Sequence, residues 1–373
     1  MKILLIGGYG NVGKFLSELI LSNTNSSIII VGRDKAKAEK FKDELVVRHD
    51  EKRIETGFVD ASNTGSLINE FMKSDFVINA ASTIQFTNNI VEALLQTKNN
   101  YLDVLMSSPQ KLNLLKATSE QFVKNDQCII SDGGFHPGLP AALIRYAADY
   151  FDEIHSANVG SLLNMDWKFE FSSPDTIKEF IYEFKEYDST AYVKKEWRKL
   201  SYKDYKYFDF DKPFGKKPCI SMMMEELKEL PDKYPSLSET GFYISGFNWF
   251  TDYLVTPIMM IAVKNFSSQK LNSIAKLFKW SIQKFSKPPY KVILQLIAEG
   301  IKEDKNQQMK IEVSHEDGYF LTAVPAFACL HQYLEKSNRI PGLHFQANYV
   351  EPKKFLNDIK RLGCEVKIEF NLK

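Results

Sequence analysis

The residues with the clearest chemical meaning come first in the chain. Gly7-Gly8-Tyr9-Gly10-Asn11-Val12-Gly13 carries the spacing Gly-x-Gly-x-x-Gly from Gly8 onward, between the apolar run Ile3-Leu4-Leu5-Ile6 and a helical pattern from Lys14 to Leu21. A strand, a glycine turn and a helix in that order form a cradle for a dinucleotide pyrophosphate. Gly8 is expected to make the tight turn, Gly10 to let the pyrophosphate approach the backbone, and Gly13 to let helix and strand pack closely. The phosphates would meet the N–H groups and positive dipole end of a helix starting near Asn11, with Tyr9 and Val12 completing the contacts. A second apolar run, Ser27-Ile28-Ile29-Ile30-Val31, ends in Gly32-Arg33-Asp34. An acidic residue at the end of that strand would grip the ribose hydroxyls of NAD. Here Gly32 leaves the space empty, and Arg33, with Asp34 beside it, supplies a planar cation for a 2′-phosphate. The expected cofactor is NADP(H).

Three later segments add polar groups at the ends of apolar runs. Ala80, Ala81 and Ser82 follow Asn79 and are small enough to admit the cofactor near the pyrophosphate and nicotinamide ribose. Asp103 lies in Tyr101-Leu102-Asp103-Val104, where a carboxylate is costly unless paired or working. It suits either proton exchange near the nicotinamide or acceptance of hydrogen bonds from neighbouring backbone N–H groups. His136, in the loop from Asp132 to Pro140, suits either a proton donor after hydride transfer or a hydrogen-bonded structural role. Asp103 and His136 are the catalytic candidates. No metal site is expected, because Cys128, Cys219, Cys329 and Cys364 are scattered, without a Cys-x-x-Cys pair or a cluster with histidine. That usage also argues against a disulfide framework and fits a reducing cytoplasm.

These residues need a doubly wound parallel sheet to bring them together. Strands are expected at 1–6, 27–31, 54–59, 75–81, 101–104 and 128–131. Helices between them run over Lys14–Leu21, Lys35–Leu45, Ser66–Met72, Asn89–Gln96 and Lys111–Lys124, with a further one over Ala141–Tyr150. The fold class is α/β, with a Rossmann domain over 1–137 and an α+β substrate and dimerisation domain over 138–373, whose segment 349–373 packs back on the first. In that second part, strands are expected at Ser156–Leu162, Phe242–Phe247, Met309–Ser314 and Tyr319–Ala323. The helices expected there are Asp175–Tyr187, Lys270–Phe285, Tyr290–Glu299 and Ala326–Lys336.

Composition narrows the partners. With 48 basic against 47 acidic side chains and a formal charge of +1, nothing points to nucleic acid. No signal peptide is expected, since the N-terminal residues already read as the first strand of the nucleotide fold. No apolar run of transmembrane length appears. Residues 165–214 are rich in aromatics, including Trp167, Phe169, Phe171, Phe180, Tyr182, Phe184, Tyr187, Tyr192, Trp197, Tyr205, Tyr207 and Phe208. They fit a core and homodimer interface, or an apolar or amine-binding pocket. From Tyr253 to Ala298 there is no acidic residue but seven lysines, and Leu271, Ile274, Ala275, Phe278, Ile282 and Phe285 share one helical face. A helix packed on its own core accounts for this; a membrane-surface element or a reader of anionic groups is the other reading.

Several segments resemble the saccharopine dehydrogenase/reductase-like family: GGYGNVG at 7–13, VGRDKAKAEKF at 31–41, DFVINAAS at 75–82, YLDV at 101–104 and GGFHPGLP at 133–140. TAVPA at 322–326 and VEPKKF at 350–355 are looser matches, and residues 160–300 carry none. The resemblance implies a Rossmann domain joined to an α/β domain, NAD(P) linkage and, in several members, chemistry at a C=N bond between an amine and a carbonyl compound. It also implies a polar group near the adenine at Asp60, a position equally suited to a helix N-cap, and a comparable aspartate at Asp103. The expected function is NADP-dependent hydride transfer at a C=N or C–N bond of an amino-acid-like or amine small-molecule substrate. A membrane-surface reductase of hydrophobic or lipid substrates and a non-catalytic NADP-binding redox sensor are the alternatives. A short-chain dehydrogenase is excluded, because the Tyr-x-x-x-Lys spacings, Tyr202/Lys206 and Tyr349/Lys353, lie outside the nucleotide segment.

Overall fold

The computed structural model describes residues 1–167, 187–201, 203–265, 268–335 and 339–372. The chain forms two compact units, Met1–Ala142 with Tyr319–Gly363, and Leu143–Gly318 with Cys364–Lys373.

In the first unit, short strands alternate with amphipathic helices. The elements are β1 (Lys2–Ile6), α1 (Asn11–Asn23), β2 (Ser27–Gly32), α2 (Lys35–Val46), β3 (Ile54–Phe58), α3 (Thr64–Phe71), β4 (Phe76–Asn79), α4 (Thr87–Thr97), β5 (Asn100–Asp103), α5 (Pro109–Lys124) and β6 (Cys128–Ser131). Helix α6 (Pro140–Ala148) follows. The inner strands β1, β2, β4, β5 and β6 are mostly apolar and buried, while the edge strand β3 exposes Glu55 and Phe58. Seven strands form one sheet in the order β15-β6-β5-β4-β1-β2-β3, where β15 is Gly342–Phe345. Every pairing in it is parallel. The order reverses between β1 and β4, so the carboxyl ends of β1, β2 and β4 open on one crevice, the usual place for a nucleotide in such sheets.

The seventh strand corrects the expected domain division. Residues 319–348, assigned from the sequence to the second domain, belong to the first unit because β15 pairs with β6 and completes its sheet. Residues 349–363 are in the first unit as well, whereas 364–373 are in the second. Tyr319–Ala323 is not a strand; it opens a helix over Gly318–Glu335 that carries Pro325 inside it. Leu321, Val324, Phe327, Cys329, Leu330 and Tyr333 are all buried, and Tyr333 lies 4.7 Å from Phe76 ring to ring. A helix buried on nearly every side shows no polar face, so its period is hidden in the sequence.

The second unit is built on a mixed sheet. Nine strands are described: β7 (Glu153–Asn164), β8 (Thr190–Val193), β9 (Glu196–Lys199), β10 (Lys206–Asp209), β11 (Lys216–Met222), β12 (Glu239–Ser245), β13 (Lys291–Lys302), β14 (Lys305–His315) and β16 (Glu365–Leu372). The main path is β10-β11-β12-β7-β13-β14-β16, with β8 on β12 and β9 on β8; only β12 and β7 pair in parallel along it. Tyr290–Glu299, expected as a helix, lies almost entirely in β13. This strand runs between β7 and β14, and Val292–Leu296 is buried without a break. With both faces covered, the two-residue alternation that marks a strand disappears. The β13–β14 and β8–β9 hairpins turn on Glu303-Asp304 and Lys194-Lys195, all four at positive φ, as a two-residue type I′ connection requires. The expected helix Lys270–Phe285 is present as Ser268–Phe285 and buries Ala275, Phe278 and Ile282. All but the last residue of the helix expected over Asp175–Tyr187, together with Phe169, Phe171, Phe180, Tyr182 and Phe184, lies outside the described residues. Among the described aromatics of that segment, Trp167 and Phe208 are buried while Tyr205 and Tyr207 are exposed.

Candidate functional site

The glycine turn is shaped by contacts that leave no space for side chains. Gly8 lies inside the turn that Gly10 N–H closes on Gly7 O at 2.8 Å; Gly7 adopts the left-handed region, with φ +74°, and a Cβ there would stand 2.8 Å from Ala81 Cβ. Gly13 tolerates no Cβ either, since one would overlap Gly7 O and lie 2.7 Å from Gly8 Cα. The close approach is of the helix start to the turn, at Gly7 and Gly8, rather than to the strand itself. Gly10 is the N-cap of α1 and brings no side-chain cap, and the first turn holds no acidic residue. The N–H groups there, at the positive end of the helix dipole, suit an anionic ligand. The loop after β4 forms the opposite wall: Ala80 N–H donates to Ile6 O at 3.0 Å, bringing Ala81 against Gly7, and Ser82 follows.

At the end of β2 the space over Gly32 is not empty. Tyr9 fills it, with its Cζ 2.7 Å from where a Gly32 Cβ would stand, and its hydroxyl accepts from Asp34 N–H at 3.0 Å. Glycine is needed here to seat Tyr9, a cause the sequence pattern did not contain. Asp34 caps α2, accepting from Lys37 N–H at 3.0 Å, and that bond holds its carboxyl below the usual range. Asp60 does not cap α3; Asn63 does. The Asp60 carboxylate instead accepts from Ser62 Oγ at 2.7 Å and Ser62 N–H at 3.0 Å, which lower its pKa, and the nearby Arg33 lowers it further. Arg33 is exposed, so a cation and a carboxylate share the ends of β2 and β3.

Asp103 is 1% exposed and is held by a lysine that the sequence reading treated only as part of a helix. Lys111, also 1% exposed, reaches Asp103 Oδ1 at 2.8 Å and Asp132 Oδ1 at 3.0 Å. Ser108 caps α5 and accepts from Lys111 N–H, with Pro109 opening the helix, so the lysine is fixed in the first turn. Asp103 also accepts from Leu105 N–H at 3.1 Å and Ser131 Oγ at 3.2 Å, and Ser107 donates to Asp132 at 2.7 Å. Burial pushes Asp103 above the ordinary carboxylate range against the pull of Lys111. Burial alone would lower the ammonium; Asp103 and Asp132 outweigh it and hold Lys111 above its usual value. One ammonium between two carboxylates leaves negative charge in a dry place, and an upward shift at Asp103 is the physical response. Asn79 joins the group through Tyr101, donating to its hydroxyl at 3.1 Å, and a cavity of about 10 Å³, the size of one water, lies among Asn79, Tyr101, Asp103 and Lys111. This is the paired reading of Asp103, with a cation added.

The loop after β6 is anchored by Gln346, which no motif singled out. Its side chain accepts from Gly134 N–H at 3.1 Å and donates to Gly134 O at 2.9 Å. His136 is half-buried in this loop and stacks on Phe135 at 3.8 Å. Burial lowers its pKa to about 3, so the ring is neutral at neutral pH and offers a neutral N–H rather than an imidazolium proton. In the second unit, an open cleft of about 370 Å³ is lined by Asn158, Lys206, Phe208, Glu239 and Glu299 among others, and Asn158 donates to Glu239 at 2.8 Å.

Comparison with known proteins agrees with this geometry. Residues 3–128 match the family model of the saccharopine dehydrogenase NADP binding domain. The fold is similar to that of an apo saccharopine dehydrogenase (L-Glu forming) from Saccharomyces cerevisiae, at TM-score 0.67 and 12% identity over 99% of each chain. More distant matches are a meso-dapdh mutant with DAP from Clostridium tetani, at TM-score 0.47 and 11% identity over 95% of each chain, and a biliverdin reductase in complex with biliverdin and NADP+ from Synechocystis, at TM-score 0.40 and 13% identity over 96% of each. No curated protein matches the chain. Residues 3–128 thus match a saccharopine dehydrogenase NADP binding domain, and the chain shares the fold of a saccharopine dehydrogenase. Among the described residues, no helix is long and apolar enough to cross a membrane.

Three outcomes follow from this packing. Lys111→Met strands two buried carboxylates and is expected to destabilise the protein by about 3–5 kcal/mol in denaturant unfolding, with Asp103→Leu in the same chain recovering part of the loss. Gly13→Ala must push the Gly7 backbone away and is expected to abolish dinucleotide binding measured by calorimetry. For His136, a folded pKa near 3 against the ordinary 6.5 means the unfolded chain takes up the proton first. Stability is therefore full above about pH 6.5 and falls toward pH 3, by at most about 1.4 kcal/mol per unit, and His136→Gln should flatten that slope in urea unfolding followed across pH.

Proposed function

We propose that the protein is an NADP(H)-dependent oxidoreductase that moves hydride to or from a C=N or C–N bond of an amino-acid-like or amine substrate. The observation that carries the cofactor is the glycine cradle against an uncapped, acid-free helix start, with exposed Arg33 at the end of β2. In this reading Gly8, Tyr9, Gly10, Asn11, Val12 and Gly13 hold the pyrophosphate, and Ala80, Ala81 and Ser82 make room beside it. Arg33 takes the 2′-phosphate, where Asp34 and Asp60 would repel it unless the guanidinium stands between. NADP(H) supplies the hydride when bound. The protein's own part is to orient the reacting groups and exclude water.

The substrate class is supported by the family match of residues 3–128 and by the overall fold shared with a saccharopine dehydrogenase. The cleft in the second unit is lined by polar and charged groups, with Lys206 paired to Glu239, and so suits a polar ligand better than an apolar one. Asp103 is assigned a positioning role, because its carboxylate is spent on Lys111 and backbone N–H groups. His136 is the remaining candidate to exchange a proton, through a neutral ring.

Fluorescence titration is expected to give tighter binding of NADPH than NADH, with Arg33→Ala weakening NADPH about tenfold and leaving NADH unchanged. Loss of NADPH absorbance with mixtures of 2-oxo acids and amines tests the reaction. Equal NADH affinity would remove the Arg33 assignment, and tight NADPH binding without turnover across amine, carbonyl and imine panels would favour the redox sensor.

A further inference from the structure

The segment 249–285 of the second unit carries an apolar face outside its own core. Thr251, Val255, Met259 and Ala262 point inward, Val255 and Met259 packing with Trp167, Phe278 and Ile282. On the other side of the same turns, Trp249 is 65% exposed, Tyr253 74%, Leu254 49% and Ile258 51%; the next helix adds Leu277 at 38% and Trp280 at 48%. The spacing 249, 253/254, 258 is one helical stripe. Ring contacts join it to the second helix: Phe250 lies 4.7 Å from Phe285 and 5.9 Å from Trp280, and Trp249 lies 6.3 Å from Phe285. Single exposed apolar side chains are ordinary, whereas six large ones on adjoining turns mark a contact surface.

Charge identifies what covers it. Residues 253–298 contain no Asp or Glu and seven lysines, of which Lys276, Lys284 and Lys287 are exposed around the apolar face. Lys291 is taken by Glu365 at 2.7 Å. Asp252, the acid just before this stretch, accepts from Phe247 N–H at 2.9 Å. A second copy docked by the same face would set lysine against lysine with no acid in the stretch to answer. Two tryptophans and a tyrosine at the rim, an apolar stripe between them and a collar of lysines match the headgroup layer of an anionic bilayer. We propose that the faces described at 249–262 and 273–287 dock the protein on an anionic lipid surface, with Trp249, Tyr253, Ile258 and Trp280 in the interface and Lys276, Lys284 and Lys287 over lipid phosphates. The inference does not depend on the cofactor assignment.

Flotation of the full chain with vesicles of phosphatidylcholine alone, or with phosphatidylglycerol added, tests it. Binding is expected only to the anionic vesicles, weakened by salt, with a blue shift of tryptophan emission. The variants Trp249→Ser/Ile258→Ser and Lys276→Glu/Lys284→Glu should each lower partitioning by about tenfold or more. Circular dichroism and thermal unfolding of both variants should match the parent, since these side chains are exposed. A folded protein that ignores anionic vesicles, or variants that partition like the parent, would overturn the proposal. Concentration-dependent self-association lost in the same variants, without vesicle binding, would assign the face to a second copy instead.

Discussion

Lys111 meets Asp103 and Asp132 where none of the three reaches water. Charges in that position cannot drift to a solvated alternative, so the elements that carry them are held in register. The end of β5, the first turn of α5 and the residue after β6 are thereby tied into one corner of the sheet. Asp132 adopts φ +57° there and launches the loop that Gln346 clamps from the far side of β15. Breaking that corner would leave unpaired charge buried beside the apolar core that Tyr101, Leu115 and Ile129 share.

The opposite edge is held by the reverse device, the removal of side chains. Gly7 and Gly13 let the turn, the helix start and the loop after β4 approach to distances that any Cβ would forbid. The same edge uses Gly32 to seat Tyr9 across the end of β2, joining the turn to the start of α2 through the Asp34 N–H. A dinucleotide cradle made of backbone groups is insensitive to most of the surrounding sequence.

The second unit follows other rules. Its sheet is mostly antiparallel, two of its hairpins turn without glycine, and its helices over 256–265 and 268–285 are apolar on more faces than their own core covers. Surplus apolar surface ringed by lysine is costly in water and has no structural use within the unit. It is the kind of feature that binding retains.

The nucleotide half of the fold was legible in the sequence because its information is local. A glycine at positive φ, an N-cap and a run of β-branched residues each act within a few positions, and six of the seven parallel strands were readable on that basis. The seventh was not, since β15 joins the sheet only by pairing with β6 across two hundred residues of intervening chain. The helix at 318–335 and strand β13 were misread for one reason: full burial erases the periodicity that exposes an element's type. Asp103 was visible as a costly carboxylate, yet its partner was not, because Lys111 looks like any surface lysine until the fold removes it from water. What the sequence determined by itself was the cradle and its cationic end, where residue type and spacing act directly on the backbone. Tertiary structure decided which charges meet, what fills the space over Gly32 and which apolar face stays outside. Those outcomes depend on desolvation and contact between distant segments, and neither quantity exists until the chain has folded.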